Sequence, residues 1–185
     1  MEQTLSAPRT EEWYAMRATY RRELQAQSLL KEAGIRSYIP MRTGERTVNG
    51  RRRRMQVPAV HNLIFVYAAR EALQRIKERV TFLQYMMDRN GSKAVPIIVP
   101  DKAMEDFMRV VDDGGDTVDY LPVGDRNFTE GMKVRVHGGP LDGVEGILVK
   151  SGKSKDRKLV VSLSGILSVA TASVNPDSLE TLEND

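Results

Sequence analysis

The chain has 185 residues, 41% hydrophobic and 29% charged, with no cysteine and a formal net charge of +3. Such a length fits one ordinary domain or two small ones, and the composition is that of a soluble globular protein. Disulfides and thiolate chemistry are excluded, the longest apolar run (Leu63–Ala69) is too short to span a bilayer, and MEQTLSAPRTEE lacks the basic start and apolar segment of a secretory signal, so a cytoplasmic protein is expected.

The first twelve residues are polar and expected to be disordered. Trp13–Ala18 reads as a strand opened by two aromatics. Thr19 is placed to cap a helix over 20–33, with Ala26, Leu30 and Ala33 on one face and Gly34 to end it. Ile35–Pro40 is extended, and Met41–Pro58 is a basic hairpin or loop in which Asn49-Gly50 signals a two-residue turn. Val60–Ala68, apolar nearly throughout, reads as a central strand. Ala69, Ala72, Leu73, Ile76 and Val80 then have helical spacing. A strand over 82–87, an extended stretch over 95–99 and a helix opened by Pro100-Asp101 complete the order β-α-β-β-α-β-α. This is an α+β fold with one helical layer on an antiparallel sheet. Only one face being covered, alternate residues of the central strand, with Tyr14 nearby, form either core or an exposed docking patch.

Asp112-Asp113-Gly114-Gly115-Asp116 opens an expected flexible linker over 112–127. In Phe128–Leu148, Met132, Val134 and Val136 alternate with Lys133, Arg135 and His137, the period of a half-buried strand. Gly138-Gly139-Pro140 must turn the chain, and Gly143 and Gly146 suit close backbone approach or positive φ. Further short strands are expected near 145–149, 158–163, 168–174 and 178–182, five in all, which suits a small barrel. The stretch from Phe128 resembles the KOW motif of transcription and ribosomal proteins.

Charge divides with the chain. Residues 1–111 carry 20 Lys/Arg against 12 Asp/Glu, and residues 112–185 carry 8 against 13. A basic front and an acidic back point to different partners for each. Arg51, Arg52, Arg53 and Arg54 stand together on the hairpin, with Arg42 and Arg46 nearby. They read either as a phosphate-contacting finger or as a solvated, self-repelling loop. Arg21 and Arg22 join that surface or merely open a solvated helix.

Catalysis finds little support. Gly146–Ser154 (GILVKSGKS) has five residues between its glycines where a phosphate-binding loop requires four, and no helix is expected after it. His61 and His137 fall in different expected domains with no partner spaced for a metal. No carboxylate pair or nucleophile elbow stands out. Neither a cofactor nor a metal is expected.

The two halves together resemble the NusG family. The resemblance rests on Trp13-Tyr14, Glu23 and Leu30, Tyr38-x-Pro40, the basic hairpin, His61-Asn62-Leu63-Ile64-Phe65-Val66 and the KOW-like stretch, and it covers Trp13 to Leu182. Val60, His61 and Leu63 replace the aromatic, proline and tyrosine usual in the strand motif. Asn62, Ile39-Pro40-Met41 and NGRRRR are more similar to the specialised members, RfaH-like or capsule-operon regulators. The resemblance implies an N-terminal domain over 13–111 and an SH3-like KOW barrel over 128–185. It implies a non-enzymatic, monomeric elongation and antitermination factor. Tyr14, Val60, Leu63 and Phe65 would dock on the clamp of the largest RNA polymerase subunit. Arg21, Arg22 and Arg51–Arg54 would face nucleic acid beside the cleft, and the KOW domain would recruit a ribosomal protein or a termination factor. The alternative is an RNA-binding or ribosome-associated KOW protein, against which the acidic back half counts.

Overall fold

The structure, a computed structural model, describes residues 10–89, 91, 93–122, 131–150, 157–163, 165–171 and 174–182. Residues 1–9 of the expected disordered start, 123–127 of the expected linker and 151–154 of the GKS segment lie outside that set. In chain order the elements are β1 (Glu12–Ala18), α1 (Glu23–Glu32), β2 (Arg36–Tyr38), β3 (Met41–Val48), β4 (Arg51–Pro58), β5 (Leu63–Ala68), α2 (Arg70–Arg79) and β6 (Leu83–Tyr85). They continue with β7 (Met87–Asp88), β8 (Val95–Pro96), β9 (Ile98–Val99), α3 (Asp101–Gly114), β10 (Asp119–Pro122) and β11 (Met132–Val136). β12 (Glu145–Lys150), β13 (Arg157–Leu163), β14 (Leu167–Ala170) and β15 (Leu179–Thr181) follow. The fold is α+β with antiparallel sheets, and it divides into two compact units. One holds Met1–Ile39 and His61–Pro100, the other Pro40–Val60 and Asp101–Asp185.

In the first unit the strand order is β2-β5-β1-β6, with β9 also on β1. β5 is interior, as its continuous apolar run indicates, and pairs antiparallel with β1 in the register Trp13↔Tyr67, Ala15↔Phe65, Arg17↔Leu63. Leu63, Ile64, Phe65 and Val66 are all buried, and alternate residues of a strand point to opposite faces, so residues on both faces of β5 read as core, the first of the two readings of this strand.

The first helix starts later than its pattern indicates. Tyr20 and Arg21 have φ of 60° and 56°, which no helix accommodates, so Thr19–Arg21 forms a short 3-10 turn and α1 begins at Glu23. Thr19 is therefore not its cap; its hydroxyl donates to the Phe82 carbonyl at 3.3 Å. Gly34 does end the helix, with φ of 71°, and the Ile35 N–H donates back to the Leu30 carbonyl at 2.9 Å.

In the second unit β3 and β4 form a two-stranded ribbon closed by Asn49-Gly50, both at positive φ. A separate six-stranded sheet has the order β10-β14-β13-β12-β11-β15. The expected strands of the back half are present, and β10 adds another. Residues 112–122, expected as linker, carry the end of α3, a 3-10 turn at Gly115–Thr117 and β10, which pairs with β14 from Asp119↔Ala170 to Pro122↔Leu167. Gly and Asp suggested a break in the chain, but ladder hydrogen bonds and the buried Val118 fix it. β13 is buried on both sides. Val160 clusters with Val149 and Ala170 on one face, while Leu159, Val161 and Leu163 fill the other. Gly146 permits this closeness, because a Cβ there would lie 2.6 Å from the Val160 carbonyl oxygen.

α3 packs beside β13 and β14 and buries Met104, Phe107, Val110 and Val111. Its polar side grips the turn before β12. The Lys102 ammonium reaches the Gly143 carbonyl at 2.8 Å and pairs with the buried Asp106, whose carboxylate accepts the Glu145 N–H at 3.2 Å. Arg109 donates to the Asp142 and Pro140 carbonyls at 2.6 and 2.7 Å. Buried charge is tolerated because each of these partners is in place.

Candidate functional site

Two surfaces expected to carry function fall on different elements. On the first, the β1–β5 register puts Trp13, Ala15, Arg17, Leu63, Phe65 and Tyr67 on one face of the sheet. The Trp13 and Tyr67 rings lie 5.2 Å apart, and the Arg36 guanidinium sits 5.1 Å from the Trp13 ring centre. Leu63 and Phe65 are thus together, and both are buried. Tyr14 lies on the opposite face, where its ring is 5.6 Å from Tyr85, itself beneath the Lys77 ammonium of α2. Burial and the hydrogen bond to Glu12 push the Tyr14 hydroxyl up to about 12. Val60 is half-buried in the bend preceding β5 and does not belong to the strand. Of the four residues expected on one patch, the sheet unites Leu63 and Phe65.

The start of β5 holds a feature that the apolar pattern does not reveal. Asn62 adopts φ of 62°, its side-chain oxygen accepts the Arg21 N–H at 2.9 Å, and its backbone carbonyl accepts the Ala18 N–H at 3.1 Å. Its own N–H donates to the carboxylate of Glu23, a buried acid at the first turn of α1. This latch pins the Tyr20–Arg21 turn. The available signal was the residue type: Asn tolerates left-handed backbone far better than its neighbours.

Arg21 is exposed on that turn. Arg22 is engaged within the unit, its guanidinium 3.9 Å from the Phe82 ring centre and its Nε donating to the Thr19 carbonyl at 3.2 Å. Arg51, Arg52, Arg53 and Arg54 are all exposed on β4. The ribbon is anchored within its unit. The Thr43 N–H donates to the Asp116 carboxylate at 2.7 Å, and Tyr120, half-buried and pushed up to about 12 by desolvation, reaches the Met41 carbonyl at 3.5 Å.

Both histidines are exposed, and His137 pairs with Glu180 at 2.9 Å. Among the described residues no group of three or more His, Cys, Asp or Glu is arranged to hold a metal, and no helix is long and apolar enough to cross a membrane.

Fold and surface together define an α+β protein with antiparallel sheets and an exposed cationic β-ribbon. Residues 11–108 match the family model described as transcription termination factor NusG. The chain belongs to the NusG family, transcription factors of elongation and antitermination that bind RNA polymerase. A solved structure of Thermotoga maritima NusG, described as "Domain interaction in Thermotoga maritima NusG", aligns with 94% of this chain and 98% of its own, at 16% identity and a TM-score of 0.48. No curated protein matches the chain.

Proposed function

We propose that this chain is a specialised elongation and antitermination factor, RfaH-like or of the capsule-operon kind, acting as a cytoplasmic monomer. In this reading the domains are 13–111 and 128–185, joined by 112–127, and the second is an SH3-like KOW barrel. The first binds the clamp of the largest RNA polymerase subunit through the Leu63–Phe65 face, where Arg17 is exposed; Tyr14, on the opposite face, and Val60, in the bend before β5, belong to the same expected set. Arg21, Arg22 and the hairpin that carries Arg51–Arg54 face nucleic acid beside the cleft. The second domain recruits a ribosomal protein or a termination factor. Binding energy spent on the pause-resistant polymerase shifts a population without chemistry on any substrate. The observation that supports this most is the family match across residues 11–108.

A pause assay with purified polymerase tests it. The protein shortens or removes pauses, and Arg17→Glu, an exposed position on the same sheet face, weakens that effect about tenfold while leaving thermal unfolding unchanged. Arg17 is a better probe than Phe65, because a carboxylate at a fully buried position would disrupt the sheet itself. Pausing indifferent to the wild-type protein defeats the proposal; an Arg17→Glu variant as active as wild type removes this face.

A further inference from the structure

The four consecutive arginines do not form one patch. Neighbouring residues of a strand point to opposite faces, and directly opposed residues of an antiparallel pair share one. The register of the ribbon pairs Arg42↔Val57, Gly44↔Met55, Arg46↔Arg53 and Val48↔Arg51 on one face. Thr43↔Gln56, Glu45↔Arg54 and Thr47↔Arg52 occupy the other.

The two faces differ in charge balance. On the second, Glu45 pairs with Arg52 at 3.7 Å, and Asp116, held below the ordinary carboxylate range mainly by the Thr43 N–H, is also lowered by Arg54. Two cations there meet two acids. On the first, Arg42, Arg46, Arg51 and Arg53 share the ribbon face with no acid of the ribbon itself; Asp112 and Arg42 both act on Tyr120 at its base, whereas Arg46, Arg51 and Arg53 make no ion pair among the described residues. Arg46 and Arg53 stand directly opposite one another, an arrangement that costs stability unless an external anion offsets it. Between the arginines this face is low and apolar. Gly44 presents no side chain, and Val48 and Met55 are 37% and 38% exposed.

We propose that the β3–β4 ribbon binds duplex DNA through the Arg46, Arg51 and Arg53 face, with Arg42 at its base, while the Arg52 and Arg54 face is turned away. This rests on the reading of the hairpin arginines as nucleic-acid ligands and divides them into two classes. Phosphates supply the missing counter-charge, since guanidinium groups pair with them in a planar, two-pronged geometry. A two-stranded ribbon fits the B-form major groove, about 12 Å wide, whereas the deep, narrow major groove of A-form RNA excludes it. Val48 and Met55 are suited to apolar contact with thymine methyl groups on the groove floor.

The test uses the full chain and two double variants of equal charge change, Arg46→Gln/Arg53→Gln and Arg52→Gln/Arg54→Gln. Binding to a short fluorescent DNA duplex is followed by anisotropy over a range of salt, with duplex RNA and single-stranded DNA as parallel probes. All four positions are exposed, and circular dichroism checks that the fold is retained. The first pair is expected to weaken duplex DNA binding about tenfold or more and to reduce the salt slope by about 2, one phosphate contact contributing about 0.9. The second pair stays within about threefold of wild type. Equal losses in both pairs overturn the face assignment and leave the broader nucleic-acid reading standing. Tighter binding of duplex RNA or single strands overturns the groove assignment. A wild-type chain that binds none of the three probes overturns both.

Discussion

At the scale of single residues, the latch between Glu23 and Asn62 joins sequence positions 39 apart and sets where α1 begins. A buried carboxylate accepting a backbone N–H is costly to remove, because the donor is then left without its partner. Glu23→Ala should therefore lower unfolding free energy by about 1–3 kcal/mol. Asn62→Gly keeps the left-handed backbone accessible and loses the bond to the Arg21 N–H, so its cost should be about 0.5–1.5 kcal/mol. Chemical denaturation midpoints check the order; an Asn62→Gly cost exceeding that of Glu23→Ala would mean the side-chain oxygen, not the acid, holds the turn. Sequence conveyed only part of this. Glu23, Leu30 and Asn62 stood out as motif positions, and Gly34 as a helix end. The left-handed pair Tyr20–Arg21 was invisible because its cause lies on another strand, and propensity rules see only local neighbours.

At the scale of elements, the ribbon shows how alternation carries information that composition hides. RRRR reads as a single cluster when counted and as two opposed pairs once the register is known. Asn49-Gly50 announced the turn, but the distribution of acids between faces depended on which residue opposes which. The ribbon's anchor gives a pH prediction. The Asp116 carboxyl lies below its ordinary value of 3.8 because the Thr43 N–H favours the ionised form, with Arg54 a smaller contributor. A depressed carboxyl stabilises the fold fully above that ordinary value, and the contribution is lost as pH falls through the lower folded value. Acidification below about 4 should loosen the base of β3 first, seen as a fall in the Thr43 amide's protection from hydrogen exchange relative to its intrinsic rate at each pH. Asp116→Asn should lower that protection at neutral pH and abolish its further loss in acid. An acid response persisting in Asp116→Asn would assign it to another group.

At the scale of the whole molecule, α3 illustrates the limit of reading boundaries from sequence. Met104, Phe107, Met108 and Val111 stand at helical spacing within it, after the Pro100-Asp101 opening, and the family match runs into it. Yet it packs beside β13 and β14, and nothing in its periodicity names the surface it covers. Burying a side chain of this size contributes roughly 1.5–3 kcal/mol, so the sheet of the second unit depends on this helix. A fragment of residues 101–185 should melt cooperatively at higher temperature than one of 128–185. The shorter fragment should also bind a hydrophobic dye through the uncovered strands. Equal melting temperatures would mean that the helix adds nothing to the sheet.

The interleaving of the two units along the chain also sets an order of assembly during synthesis. The first unit is complete in sequence once Pro100 has emerged, whereas the ribbon, made earlier, must wait for Asp116 and Tyr120 before its base has partners. For that interval the nascent chain carries an unanchored cationic hairpin beside the ribosome's own polyanionic RNA. Timing, as well as affinity, is thus built into where the arginines fall along the chain.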